Sequence, residues 1–132
     1  MPFSFDYDRE QKILSGRAEG VITLEDLLAY LSAIVADEEI EPGFVELIDF
    51  SAVEDLAISY GETQPFGDIW KKYVDKGCVA TVVYAPDDFC FGMSRMFQTV
   101  IRSSQHGDEG SFAVVRTSEE VKELLAELRP DD

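Results

Sequence analysis

The chain holds 132 residues, 45% of them apolar and 29% charged, and its 27 acidic side chains against 11 basic ones give a net charge of −16. That length supports one domain with a hydrophobic core, expected over residues 1–132, and nine Phe and five Tyr supply core material that a disordered chain lacks. The acid excess argues against a nucleic-acid partner and against docking on anionic lipid, because both need a concentrated basic surface.

Phe3, Phe5 and Tyr7 alternate with Ser4, Asp6 and Asp8, the period of a strand with one wet face. The polar run DREQK reads as a turn, and ILSGRAE at 13–19 as the return strand of a hairpin. Thr23 is placed to cap a helix over 24–36, with Asp26 reaching back as in a capping box. Leu24, Leu27, Leu28, Leu31, Ile34 and Val35 form its apolar stripe. FVELIDF at 44–50 predicts a third strand, whereas 51–60 carries no clear period. A second helix is expected over 64–76, with Thr63 as its cap and Pro65 tolerated in the first turn.

CVATVVYA at 78–85 is apolar with little alternation, as in a central strand covered on both faces. Asp87 or Asp88 can cap a third helix whose buried side is read as Phe89, Met93, Met96, Phe97, Val100 and Ile101, ending near Ser103. SFAVVRT at 111–117 gives a fifth strand. Ser118, Glu119 and Glu120 open a fourth helix, with Val121, Leu124, Leu125 and Leu128 inward and Pro130 closing the fold. The order ββαβαβαβα predicts an α/β fold with a five-stranded, mostly parallel sheet.

The first dozen residues, MPFSFDYDREQK, lack the basic start and apolar run of a signal peptide, and no stretch approaches the roughly 20 apolar residues that span a bilayer. A soluble, cytoplasmic protein is expected. Cys78 and Cys90 fit neither a CxxC pair nor a zinc site, and His106 alone cannot complete one, so both thiols are expected to be reduced and partly buried.

This order of elements resembles the SpoIIAA-like fold of anti-sigma-factor antagonists, the STAS domains. The segment VVYAPDDFCFGMSRMFQTV at 82–100 is similar to a D-x-x-F-G-x-x-R-M-F/Y stretch of small bacterial SpoIIAA-like proteins of undefined function, through Asp88, Phe91, Gly92, Arg95, Met96 and Phe97. The resemblance implies a protein-interaction or regulatory module and, in the antagonists, a phosphorylated serine that follows an aspartate after the third strand. DFSAVEDLAISYGE contains no Asp-Ser pair. Ser59 is nearest by position but follows Ile58, and a structural role in the turn is preferred for it.

Ligands of open α/β sheets sit beyond the C-terminal strand ends, which directs attention to Asp49, Phe50, Ser51, Pro86, Asp87, Asp88 and Thr117. Asp49 with Asp87 or Asp88 could hold a metal ion, but helix capping and turn anchoring explain the same residues, and no metal or cofactor is expected. One histidine, no G-x-S-x-G elbow and no base beside either cysteine leave nucleophilic catalysis without support, so the chain is read as no enzyme. Between 66 and 105 the acids Asp68, Asp75, Asp87 and Asp88 are balanced by Lys71, Lys72, Lys76, Arg95 and Arg102. Phe66, Trp70, Tyr73, Arg95 and Arg102 are therefore the candidate contact face of a homodimer or of an unknown protein partner. The alternative is an apolar or lipid-like ligand between the third helix and the sheet, lined by Tyr84, Phe89, Phe91, Met93 and Phe97.

Overall fold

The computed structural model describes residues 2–59, 63–103 and 112–128, with the backbone alone described at 63–64 and 100–103. A hairpin of β1 (Phe3–Asp8) and β2 (Ile13–Thr23) opens the chain. It is followed by α1 (Leu24–Ala36), β3 (Phe44–Ala57), α2 (Thr63–Lys76), β4 (Cys78–Tyr84), α3 (Asp88–Ser103), β5 (Phe112–Val115) and α4 (Ser118–Leu128). The strands lie in sequence order, β1 antiparallel to β2 and each later neighbour parallel. A sheet that advances in one direction through right-handed crossovers places α1, α2 and α3 on the same side. The chain thus has the α/β architecture that its alternating pattern predicts.

The helix starts follow from local chemistry. Thr23 and Asp26 form the reciprocal capping box, the Thr23 hydroxyl accepting from Asp26 N at 3.2 Å and the Asp26 carboxylate from Thr23 N at 3.0 Å. Asp87, rather than Asp88, caps α3 by accepting from Phe89 N and Cys90 N. The Thr117 hydroxyl accepts from Glu120 N to open α4. Thr63 is itself the first helical residue of α2 instead of preceding it. At the other end of α2, Lys76 Nζ donates to Val35 O at 3.2 Å and Asp37 O at 2.8 Å, satisfying carbonyls at the end of α1.

Two strands outrun their sequence signals. β2 continues from Glu19 to Thr23, and β3 occupies 51–57, because the two extensions pair with each other from Glu19↔Ala52 to Thr23↔Ala57. Register shifts after Arg17 and Gly20 break the simple alternation that would have marked them. β5 is shorter than expected, since Arg116 and Thr117 leave the ladder as a bend and Ser111 lies outside the described residues.

Leu14, Ile48, Val83 and Phe112 face α1–α3, whereas Leu47, Val82, Tyr84 and Val115 pack with Val121, Leu124, Leu125 and Leu128 of α4. Both sides of β4 are covered, as its apolar run predicts, although Val79 bulges out 52% exposed. The buried face of α3 differs from expectation. Cys90, Ser94 and Phe97 are inward, Met93 and Met96 are partly buried, and Phe89 is 48% exposed. The cap at Asp87 sets the phase of the helix and turns Phe89, in its first turn, outward. Among the described residues no helix is long and apolar enough to cross a membrane.

Candidate functional site

Asp49, Phe50 and Ser51 lie within β3, which runs on to Ala57, rather than at its C-terminal end as expected, and the Asp49 carboxylate does not converge with those of Asp87 and Asp88 beyond β4. Asp49 accepts from Ser51 N at 2.8 Å and lies 3.7 Å from Arg17, Asp87 caps α3, and Asp88 pairs with Arg116. No group of three metal-ligating side chains occurs among the described residues. The turn at Asp49, the cap at Asp87 and the ion pair at Asp88 each engage a carboxylate that a metal ion would need.

Beside them stands an aromatic and cationic patch. The Arg116 guanidinium donates to Pro86 O at 3.0 Å and lies 5.0 Å from the Phe91 ring centre, while Arg95 lies 5.9 Å from the same ring. Arg95 is exposed, with its guanidinium over this ring. Phe89 and Gly92 are exposed next to it, and a Cβ built on Gly92 meets no atom within 4 Å. Phe89, Gly92, Met93 and Met96 follow helical spacing along the start of α3, Phe89 and Gly92 exposed and Met93 and Met96 half-buried against the core beside them.

The other proposed contact residues lie elsewhere. Phe66, Trp70 and Tyr73 are 3%, 2% and 0% exposed, and they are core residues rather than a contact face. Phe66 stacks on Trp70 and meets Phe97, and Trp70 meets Tyr73 and Phe112. Their spacing along α2 is itself that of an inward stripe, with Lys71, Lys72 and Asp75 pointing to water. The Arg102 side chain, His106 and Pro130 lie outside the described residues. Ser59 is exposed just beyond β3. The five residues expected around an apolar ligand are dispersed: Tyr84 is on the α4 side, Phe89 faces outward, Phe91 lies under the two arginines, and Met93 is half-buried. Phe97 alone among them lines the cavity between the helices and the sheet, whose volume is about 40 Å³.

The sequence reading missed a buried polar cluster at that cavity. Glu46 on β3 is 2% exposed, and its carboxyl meets the Tyr30 hydroxyl of α1 at 2.5 Å and accepts from the Thr81 hydroxyl of β4 at 3.0 Å. The Tyr73 hydroxyl of α2 faces the same carboxyl, near enough to favour its charged form but without the geometry of a full hydrogen bond. Burial raises the Glu46 pKa above the ordinary carboxylate value, and the hydroxyls of Tyr30, Tyr73 and Thr81 offset this in part. Burial, then the Glu46 charge, raises both tyrosines in turn and pushes the Cys78 thiol up to about 12. Gly16 is required here, because a Cβ would fall 2.1 Å from the Tyr30 hydroxyl oxygen. Strand alternation could have revealed the cluster, since Phe44, Ile48 and Phe50 share the inward face of β3 with Glu46. Cys78 and Cys90 are unbridged and buried, as expected.

No protein-family model matches the sequence, and no curated protein does. Solved structures do match. An uncharacterized protein of the DUF3478 family with a SpoIIAA-like fold, from Shewanella loihica PV-4, superposes with a TM-score of 0.55 at 17% identity, over 93% of each chain. The Bacillus cell fate determinant SpoIIAA, in its phosphorylated form, gives 0.50 at 15% identity, over 92% of this chain and 96% of its own. With the opening hairpin and the sequential strand order, these matches define the class: the chain has a SpoIIAA-like, STAS-like fold.

Proposed function

We propose that this chain is a non-catalytic SpoIIAA-like module for protein interaction or regulation, one cytoplasmic domain over residues 1–132, and that it docks through the start of α3 onto a second copy of itself. The observation that carries this reading is the exposed pair Phe89 and Gly92, bordered by half-buried Met93 and Met96 and flanked by exposed Arg95, within the part of the chain where acids and bases balance. The chain's net charge of −16 makes two copies repel at its other surfaces, and an aromatic patch with an arginine has the composition of an interface centre. The open backbone at Gly92 lets a facing helix approach closely. A dimer of this kind buries over about 1,000 Å².

Native mass spectrometry of the protein purified from its own cells tests the reading, because mass reports copy number, bound protein, ligand and phosphate together. A dimer is expected, with Phe89→Glu converting it to monomer, and a hetero-complex without a second copy would contradict self-docking. Monomer alone, at concentrations where sedimentation reads micromolar affinity, overturns it. A phosphate on Ser59 would add the switch that the Bacillus protein's phosphorylated form suggests. The alternative reading, an apolar ligand between α3 and the sheet, has its support in the cavity that Phe97 lines. At about 40 Å³ that space admits such a ligand only if the helices part from the sheet.

A further inference from the structure

β1 lies at one edge of the sheet, and among the described residues no strand pairs beyond it. One bond sets the direction of its backbone groups. Pro2 O accepts from Glu19 N at 2.9 Å, and the antiparallel register runs on from that pair through Ser4↔Arg17, Asp6↔Ser15 and Asp8↔Ile13. Alternate residues of an antiparallel ladder bond to opposite sides, so the N–H and C=O groups of Phe3, Phe5 and Tyr7 point away from β2. Such an edge is a template for another strand. Tyr30 holds it in place, stacking on Phe3 and meeting Phe5 edge-on. Along the same strand runs a groove of about 420 Å³, lined by Phe5, Tyr7 and Arg9 and, from the turn after α1, by Asp37, Glu39 and Ile40.

We propose that the free edge of β1 takes an extended, basic segment of a partner protein as an added strand. Charge selects the occupant. Pairing two copies of β1 antiparallel about Phe5 sets Asp6 beside the partner copy's Ser4 and Asp8 beside the partner copy's Pro2, which crowds like carboxylates onto two short strands. A strand with lysine or arginine on its wet face meets exposed Asp6 and Asp8 with opposite charge instead. On the helix side, a long basic residue can lay its aliphatic stem on Phe5 and Tyr7 and bring its charged end to Asp37 and Glu39. Arg9, 3.9 Å from Glu39 in an exposed pair, leaves the acids of the groove in excess. In strand addition the main-chain hydrogen bonds supply affinity and the alternate side chains supply the choice of partner. This edge is across the sheet from β5, where Gln98 of α3 donates to Phe112 O, so it is separate from the docking face at Phe89.

Amide hydrogen exchange, read by NMR on the full chain with and without the peptide acetyl-KVKRKVK-amide, tests this in about 0.15 M salt, where distant charges are screened. The Phe5 and Tyr7 amides are expected to exchange freely in the protein alone and to slow about tenfold or more with peptide, whereas those of Asp6 and Asp8, already paired with β2, change little. Asp6→Lys and Asp37→Lys are each expected to weaken binding about tenfold. Two further peptides separate an added strand from a mere polycation. Methylating the backbone nitrogens of the valines and arginine, or those of the lysines, keeps every charge but removes alternate donors, and one set alone is expected to abolish binding. No binding at about 1 mM peptide, equal effects of the two methylated sets, or binding that leaves Phe5 and Tyr7 exchange unchanged overturns the proposal. Protection of the same amides on raising the protein concentration alone would give the edge to a second copy and overturn it as well.

Discussion

Beneath α1, α2 and α3 the sheet presents Leu14, Ile48, Val83 and Phe112 around one buried acid, Glu46. Its other face packs only Leu47, Val82, Tyr84 and Val115 under α4, and towards the hairpin Ser4, Asp6, Ser15, Arg17 and Glu19 stay exposed. One acid is thus held in the dry layer while others stand in water a few strands away. The contrast shows that the acidity of the chain is not one property. Exposed carboxylates keep copies apart, whereas Glu46 makes hydrogen bonds that fix where one helix and two strands meet.

Breaking the buried side should cost most. Glu46→Ala removes the shared acceptor of Tyr30 and Thr81, and denaturant titration is expected to show a loss of about 3–5 kcal/mol, with a native yield well below that of Glu46→Gln. Gly16→Ala reaches the same bond from the other strand, by pushing the Tyr30 ring away from Glu46, and is expected to cost about 2–3 kcal/mol. Near-ultraviolet circular dichroism should report the shifted tyrosine, which stacks on Phe3 at 4.5 Å.

The pH dependence separates the faces next. A carboxyl whose pKa is raised by folding binds its proton more tightly in the native state. Its contribution is full below the unfolded value of 4.5 and is lost as pH rises through the folded value. Stability of the wild type is therefore expected to fall relative to Glu46→Gln as pH rises above 4.5, as measured by denaturation midpoints. A parallel pair of profiles would contradict a carboxyl raised by its burial.

Smaller effects follow outside the cluster. Lys76→Met keeps the side-chain length but leaves the Val35 and Asp37 carbonyls without their donor, and about 1 kcal/mol is expected from thermal unfolding. On the open face, Arg17→Ala removes a 3.7 Å ion pair whose arginine side chain is 53% exposed. No more than about 0.5 kcal/mol should be lost. A loss as large as that of Gly16→Ala would mean that the exposed face is as organised as the buried one.

Much of this architecture is written in local patterns. The opening hairpin, the Thr23 capping box, the central strand at 78–84 and the inward stripe of α4 are each declared by spacing or by a cap. The extensions of β2 and β3 are not, because each exists through pairing with the other and bulges hide the period. The contact face was misread at Phe66, Trp70 and Tyr73 because aromatic composition was weighed above helical spacing. The phase of α3 depended on which of two adjacent aspartates caps it. Glu46 was legible by alternation, but among 27 acids it did not stand out, and its partners Tyr30 and Thr81 lie 16 and 35 residues away.

The titration of Glu46 is the most direct test of an anchor whose carboxyl burial holds above the ordinary range. Carbon-13 chemical shifts of the glutamate side-chain carboxyls, followed from about pH 3 to pH 8 with Glu46→Gln to assign the resonance, give its midpoint. A midpoint clearly above the ordinary 4.5 is expected. A midpoint at or below 4.5 would show an ionised group stabilised by its hydroxyl partners, and would contradict the account.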